Sequence, residues 1–266
     1  AGAPETFATE STLAEVRIHL DLDDSVAAAD KLDRIPLPDW RADWYRGLIA
    51  LRDNNFQRAY DHFDAVLTAR PGELAPKLAL AATSELVLQH WDSPDPSRWR
   101  AHAQMFYATV WRTDLSVVSA AFGLARQLVT ADRVGDAVAA LDEVPESSRH
   151  YGEARTTAIL LLLTAHPATE LAESTLRTAD RRLATLPAGE PRVAPLRVLV
   201  LGTALAWLQA GHTPSESMLC GERFTERGLR HGIESGLRTL ARLATDNGHR
   251  YALVDLANVV RAKSWF

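Results

Sequence analysis

Asp21, Asp23 and Asp24 are the first candidates for chemistry, because closely spaced carboxylates can hold calcium. A helix–loop–helix calcium loop needs Gly at its sixth position and Glu at its twelfth, and Val26 and Leu32 stand there instead. The three acids are therefore expected to form a turn and cap a helix. The nine histidines are scattered singly, with no pair at metal-ligand spacing on one helix, so His62 and the others are expected as surface or hydrogen-bonded residues. Cys220 is alone, which excludes an intrachain disulfide and a cysteine zinc cluster. The chain has no GxGxxG, GxxxxGK, HExxH or GxSxG, and no kinase HRD or DFG. No catalytic, cofactor-binding or metal-binding residue is assigned, and an all-helical enzyme ranks last among the functions considered.

The wider composition agrees. Of 266 residues, 47% are hydrophobic and 24% charged, with a net charge of −5, as in an ordinary globular chain. No Lys/Arg cluster marks a nucleic-acid surface, and Arg181–Arg182 reads as a solvated pair. The longest apolar run, Ala158–Leu163, is far short of the ~20 residues that span a bilayer. The first twelve residues lack a basic stretch followed by an apolar core, so no secretory signal is expected, and the absent initiator Met predicts a fragment of a longer chain. The lone cysteine points to a reducing cytoplasm.

The elements that would carry any site are helices. Ala, Leu, Arg and Glu dominate, and no strand-like alternation is found. Apolar stripes at spacings of three and four include Leu13–Val16–Leu20, Arg155–His166 and Arg192–Leu208. Breaks rich in Pro, Gly, Asn or Asp separate them, predicting about a dozen helices joined as tight hairpins. A small residue followed four later by a large one recurs as Ala28/Leu32, Ala59/Phe63, Ala103/Tyr107, Ala137/Leu141 and Ala172/Leu176. The alanines are 31, 44, 34 and 35 apart, three of the four gaps close to the 34-residue tetratricopeptide (TPR) period. The long gap is assigned to an insertion at His90–Trp99, expected between the two helices of one hairpin.

Gly47, Ala59, Phe63 and Pro71 give the best single unit, with spacings of 12, 4 and 8. The small residues let two helix backbones approach, and the large one fills the space beside the contact. Arg70–Glu73 (RPGE) is then a repeat boundary: Pro71 cannot continue a helix, Gly72 turns, and Glu73 begins the next helix. The fold expected is an all-α solenoid of TPR-like hairpins over residues 1–186, continued by atypical helices over 187–266, including Phe224–Ala244 and Arg250–Lys263.

The segments Trp44–Phe63, Pro71–Leu86, Ser119–Arg126, Leu141–Tyr151 and His249–Arg261 resemble, in order, the C-terminal region of the actinobacterial protein kinase G family. PGELAPKLALAA is the most specific of these matches. The resemblance implies a TPR module that follows a Ser/Thr kinase domain and is involved in control of glutamate and nitrogen metabolism. The implied partners are the upstream kinase domain and a second copy of this chain. ATP, magnesium and the metal-binding cysteines would belong to the parent, and none of their residues is carried over. The stretch Trp91–Trp99 departs from the family pattern by its length. A free-standing TPR scaffold or peptide-binding regulator is the alternative.

A stacked solenoid lines a concave surface with the first helix of each hairpin. There we expect Trp44, Arg46, Leu78 and the Ser119–Arg126 helix with Phe122 and Arg126. Trp91 and Trp99, flanking the insertion, are candidates for the same role, since Trp anchors interfaces. Trp44, Trp111 and Trp207 are better explained as core fillers.

Overall fold

The computed structural model describes residues 3–36, 38–187 and 189–262. It comprises thirteen α-helices among the described residues: α1 Ala3–Asp21, α2 Ser25–Leu32, α3 Trp40–Arg52, α4 Phe56–Ala69, α5 Leu74–His90, α6 Pro96–Thr113, α7 Val118–Thr130, α8 Val134–Asp142, α9 Tyr151–Thr164, α10 Glu173–Ala184, α11 Val193–Gln209, α12 Glu226–Leu243 and α13 Asn247–Val260. Successive helices pack mainly on their chain neighbours, the contact pattern of an all-α solenoid. The chain forms two compact units, Ala1–Gln127 and Leu128–Phe266, divided inside α7.

The helix starts follow from local chemistry. Asp24, Asp39, Asn55, Asp95, Thr225 and Asp246 each accept a backbone N–H at the head of α2, α3, α4, α6, α12 and α13. Asp24 is thus a cap, as expected of the acidic group. Three of the turns share one device. The links α1–α2, α3–α4 and α7–α8 are each three residues long, and their middle residue, Asp23, Asn54 or Asp132, is left-handed (φ 61°, 56° and 59°). Asp and Asn tolerate that region better than other side chains carrying a Cβ.

In the first unit, Leu13, Val16, Leu20, Ala28, Leu32, Ile35 and Ala42 form one buried cluster. Four of the five small/large pairs are buried throughout: Ala28/Leu32, Ala59/Phe63, Ala103/Tyr107 and Ala137/Leu141. The fifth fails. Ala172 is exposed and precedes α10, which buries Leu176, Ala179 and Leu183 instead. Gly47 lies so close to Phe63 that a Cβ there would sit 2.5 Å from the ring, so the small residue is required by the α3–α4 crossing. Arg70 closes α4, Pro71 and Gly72 turn the chain, and Glu73 stands just before α5.

Further sequence expectations are corrected. The surplus at His90–Trp99 does fall between two helices that pack on each other, α5 and α6, but little of it is loop. α5 runs to His90, α6 begins at Pro96, and only Trp91–Asp95 joins them. The extra length goes into two long helices that pack on each other, which the Pro96 start and the Asp95 cap make possible. Two breaks escaped the sequence reading: 114–117 between α6 and α7, and 165–172 between α9 and α10, where Ala168–Glu170 forms a 3₁₀ turn. A short antiparallel hairpin, β1 Met218–Leu219 with β2 Glu222–Arg223, precedes α12. α13 begins at Asn247, and Lys263 and the Ser264–Phe266 tail, with Trp265, lie outside the described residues.

The second core gathers Ile159, Leu176, Leu196, Val200, Leu201, Leu219, Phe224, Leu229 and Ile233. Trp207 is buried in it, its Nε1 donating to the Leu171 carbonyl at 2.8 Å and its ring 5.7 Å from Phe224.

Candidate partner-binding surface

Trp44, Leu78 and Phe122 sit on α3, α5 and α7, all within the first unit. Each stands three residues before a buried small residue: Gly47, Ala81 and Ala125. All three are half-buried, and the Trp44 ring tilts against Phe63 at 5.2 Å, so its base is fixed while part of the ring stays accessible. Large apolar side chains held this way lose little freedom on contact with a partner.

Arg126, one turn after Phe122, is gripped from behind. Its Nε and Nη2 donate to Oε1 and Oε2 of Glu85 at 2.7 and 2.8 Å, and the Tyr107 hydroxyl donates to Oε2 at 2.9 Å. Burial alone would push the Glu85 carboxyl up. The hydrogen bonds from Arg126 and Tyr107 outweigh it and hold the pKa below the usual carboxylate value. The same carboxylate raises Arg126, and burial together with the Glu85 charge raises the Tyr107 phenol. Glu85 is thus an ionised, nearly buried post that fixes a guanidinium whose side chain remains 57% exposed. Sequence reasoning missed Glu85. The available signal was a lone carboxylate near the end of the apolar run LALAATSELVL on α5, where an unpaired charge would be costly.

Arg46 is differently placed. Its Nη2 donates to the Leu32 carbonyl at 3.3 Å, its Nη1 lies 3.5 Å from Asp43, and only 17% of the side chain is exposed. It fastens α3 to the end of α2 more than it faces solvent. His62 also reaches Asp43, at 3.3 Å.

The two tryptophans flanking the α5–α6 link part company. Trp91 is 43% exposed. Trp99 is buried on α6, donates to Ser93 Oγ at 2.9 Å, and meets Tyr60 edge-on at 5.0 Å. It packs the α4–α6 side and offers no outward face. Beside it, the Tyr60 hydroxyl hydrogen-bonds His102 Nδ1 at 2.7 Å. Burial pushes the Tyr60 phenol up to about 12 and, with the nearby Arg98 charge, lowers His102, so the pair is a neutral one at ordinary pH.

Among the described residues no group of His, Cys, Asp and Glu could hold a metal ion, and no helix is long and apolar enough to cross a membrane. What the surface offers is apolar contact plus one braced cation, a chemistry of binding.

Residues 1–264 match the family described as protein kinase G tetratricopeptide repeat. The chain is 46% identical over 260 residues to the serine/threonine-protein kinase PknG of Mycolicibacterium smegmatis, covering 97% of this chain and 33% of that protein. It is 48% identical over 259 residues to PknG of Mycobacterium leprae, covering 96% and 32%. The chain therefore spans about a third of the length of these relatives. Among solved structures, a tetratricopeptide repeat protein from Parabacteroides merdae aligns with a TM-score of 0.52 at 12% identity, covering 94% of this chain and 99% of that one, a likeness of fold alone.

Proposed function

Because the chain belongs to the protein kinase G tetratricopeptide-repeat family, we propose that it is the protein-binding, regulatory part of a larger Ser/Thr kinase and carries no phosphotransfer chemistry of its own. The observation that supports this reading is the succession Trp44, Leu78 and Phe122, half-buried on the first helices of three consecutive hairpins, with Arg126 one turn after Phe122 braced by Glu85. Such a succession suits a partner segment laid across consecutive hairpins, with apolar anchors and a charge-assisted hydrogen bond to orient it.

In this reading the partner is the kinase's own catalytic domain or a second copy of the chain. Control of glutamate and nitrogen metabolism would then be exerted by the parent, with this module setting what the kinase touches. The test is the solution mass of the chain alone and mixed with the kinase portion of the M. smegmatis relative. A self-pair or a mixed complex is expected. Leu78→Ala and Phe122→Ala should each weaken it about tenfold, as removal of an interface anchor does. Association unchanged in both variants, or no association at all, would refute the assignment of this surface. Incubation of the chain alone with ATP and magnesium should give no phosphate transfer.

A further inference from the structure

We propose that the groove between α12 and the end of α13 is a second binding site, and that its occupant is an acidic peptide segment of a protein partner. It lies wholly in the second unit and stands independently of the surface on α3, α5 and α7.

The groove has a volume of about 1240 Å³, and four arginines line it: Arg227, Arg230 and Arg238 from α12, and Arg261 just past α13. Among the described residues two carboxylates face them, Glu226 and Glu234, leaving an excess of two positive charges there in a chain whose net charge is −5. The carboxylates are already committed. Arg230 donates through Nε and Nη2 to Glu226 at 3.0 and 2.8 Å, and Arg238 does the same to Glu234 at 3.1 and 3.0 Å. Arg261 reaches Glu234 only at 4.0 Å, with 69% of its side chain exposed. Arg227 is exposed, and among the described residues no hydrogen bond or ion pair engages it.

These features select the occupant. The two internal ion pairs hold Arg230 and Arg238 in place, while Arg227 and Arg261 keep donors for an incoming carboxylate. A small anion would fill little of so wide a groove, because small-ligand pockets run to about 300–1,000 Å³ and enclose their ligand. A peptide spans it. Val259, 75% exposed on α13, supplies an apolar contact within the same lining, so acidic residues interspersed with an apolar one fit best. Carboxylate oxygens would take the bidentate N–H pairs that a guanidinium presents in a plane.

The test is fluorescence anisotropy of a fluorescein-labelled Glu-rich peptide containing leucines, titrated with the full chain, beside a counterpart with Gln for every Glu. Binding of the Glu peptide alone is expected. It should weaken severalfold as ionic strength rises from about 0.01 M to about 0.1 M, which shortens the screening length from about 30 to about 10 Å. Arg227→Glu should weaken it about fivefold, since it removes one exposed attraction and adds a repulsion. Arg100→Glu, the same change on an exposed arginine of α6, should leave it unaltered. Equal binding of the Gln peptide, equal weakening by Arg100→Glu, or no binding of the Glu peptide at low salt would overturn the proposal.

Discussion

Replacing Gly47 by Ala tests the repeat packing most directly, because the change has two opposing effects that the structure separates. In an open helix, Gly→Ala stabilises by about 0.5–1 kcal/mol, since alanine has less backbone freedom to lose. At Gly47 the new methyl would lie 2.5, 2.8 and 2.8 Å from three carbons of the Phe63 ring. Carbon pairs are comfortable at about 3.5–4.0 Å, so ring or helix must give by roughly 1 Å. Phe63 is fully buried and its ring also lies 5.2 Å from that of Trp44, so moving it disturbs packed neighbours. Overpacking of this kind costs about 1–3 kcal/mol. The net expectation is a loss of about 1–2 kcal/mol. Gly202 is the matching control: it lies mid-way along α11, and a methyl added there would meet nothing within 4 Å, so Gly202→Ala should gain up to about 1 kcal/mol. Urea unfolding of both variants, each read as a shift in midpoint at constant slope, gives the comparison. If Gly47→Ala proved as stabilising as Gly202→Ala, the crossing would not be close-packed and the hairpin register would be wrong.

Three other outcomes follow from the same structure. Phe63→Ala should destabilise by about 3–5 kcal/mol through the cavity it leaves in the α3–α4 core, measured by the same unfolding. Asp95→Ala should cost about 1 kcal/mol, because it removes the acceptor for the Arg98 N–H at the head of α6. The third concerns pH. Glu85 has its folded pKa below its ordinary value of 4.5, so the unfolded chain takes the proton first on acidification. Its contribution is complete above pH 4.5 and is lost as pH falls through the folded value. His102 is likewise lowered from 6.5, so stability should decline as pH drops below 6.5. Denaturation across pH 3 to 7 should show both slopes in the parent, the lower one diminished in Glu85→Gln and the upper one absent in His102→Phe.

Helix identity, turn positions and the hairpin repeat could be read from the chain because each depends on neighbours in sequence. The Ala28/Leu32, Ala59/Phe63, Ala103/Tyr107 and Ala137/Leu141 pairs lie one helical turn apart, and Pro71 or Asp95 acts on its own turn. The same logic misfired where local cues were ambiguous. Ala172 has the right spacing and stands outside a helix. The stretch from His90 to Trp99 contains two prolines, yet half of it, His90 and Pro96–Trp99, belongs to helix ends, and the link is only Trp91–Asp95. The β1–β2 hairpin was illegible for another reason. Its two turn residues, Cys220 and Gly221, are both left-handed, at φ 49° and 76°, and Cys-Gly is no hairpin signature. Cys220 is kept in that conformation from outside the turn, by Asp180 accepting its N–H at 3.0 Å and by Arg197 donating to its carbonyl at 3.0 Å.

The candidate surface divides along the same line. By itself, the sequence determined that Trp44, Leu78 and Phe122 lie on the first helices of successive hairpins, since helical periodicity and turn residues are properties of order along the chain. Only the tertiary structure decided that Trp99 turns inward to Tyr60, that Arg46 is spent on the Leu32 carbonyl, and that Arg126 is held by a carboxylate 41 residues away. Burial and charge pairing depend on which helices meet, and that is set when distant segments exclude water from a shared core.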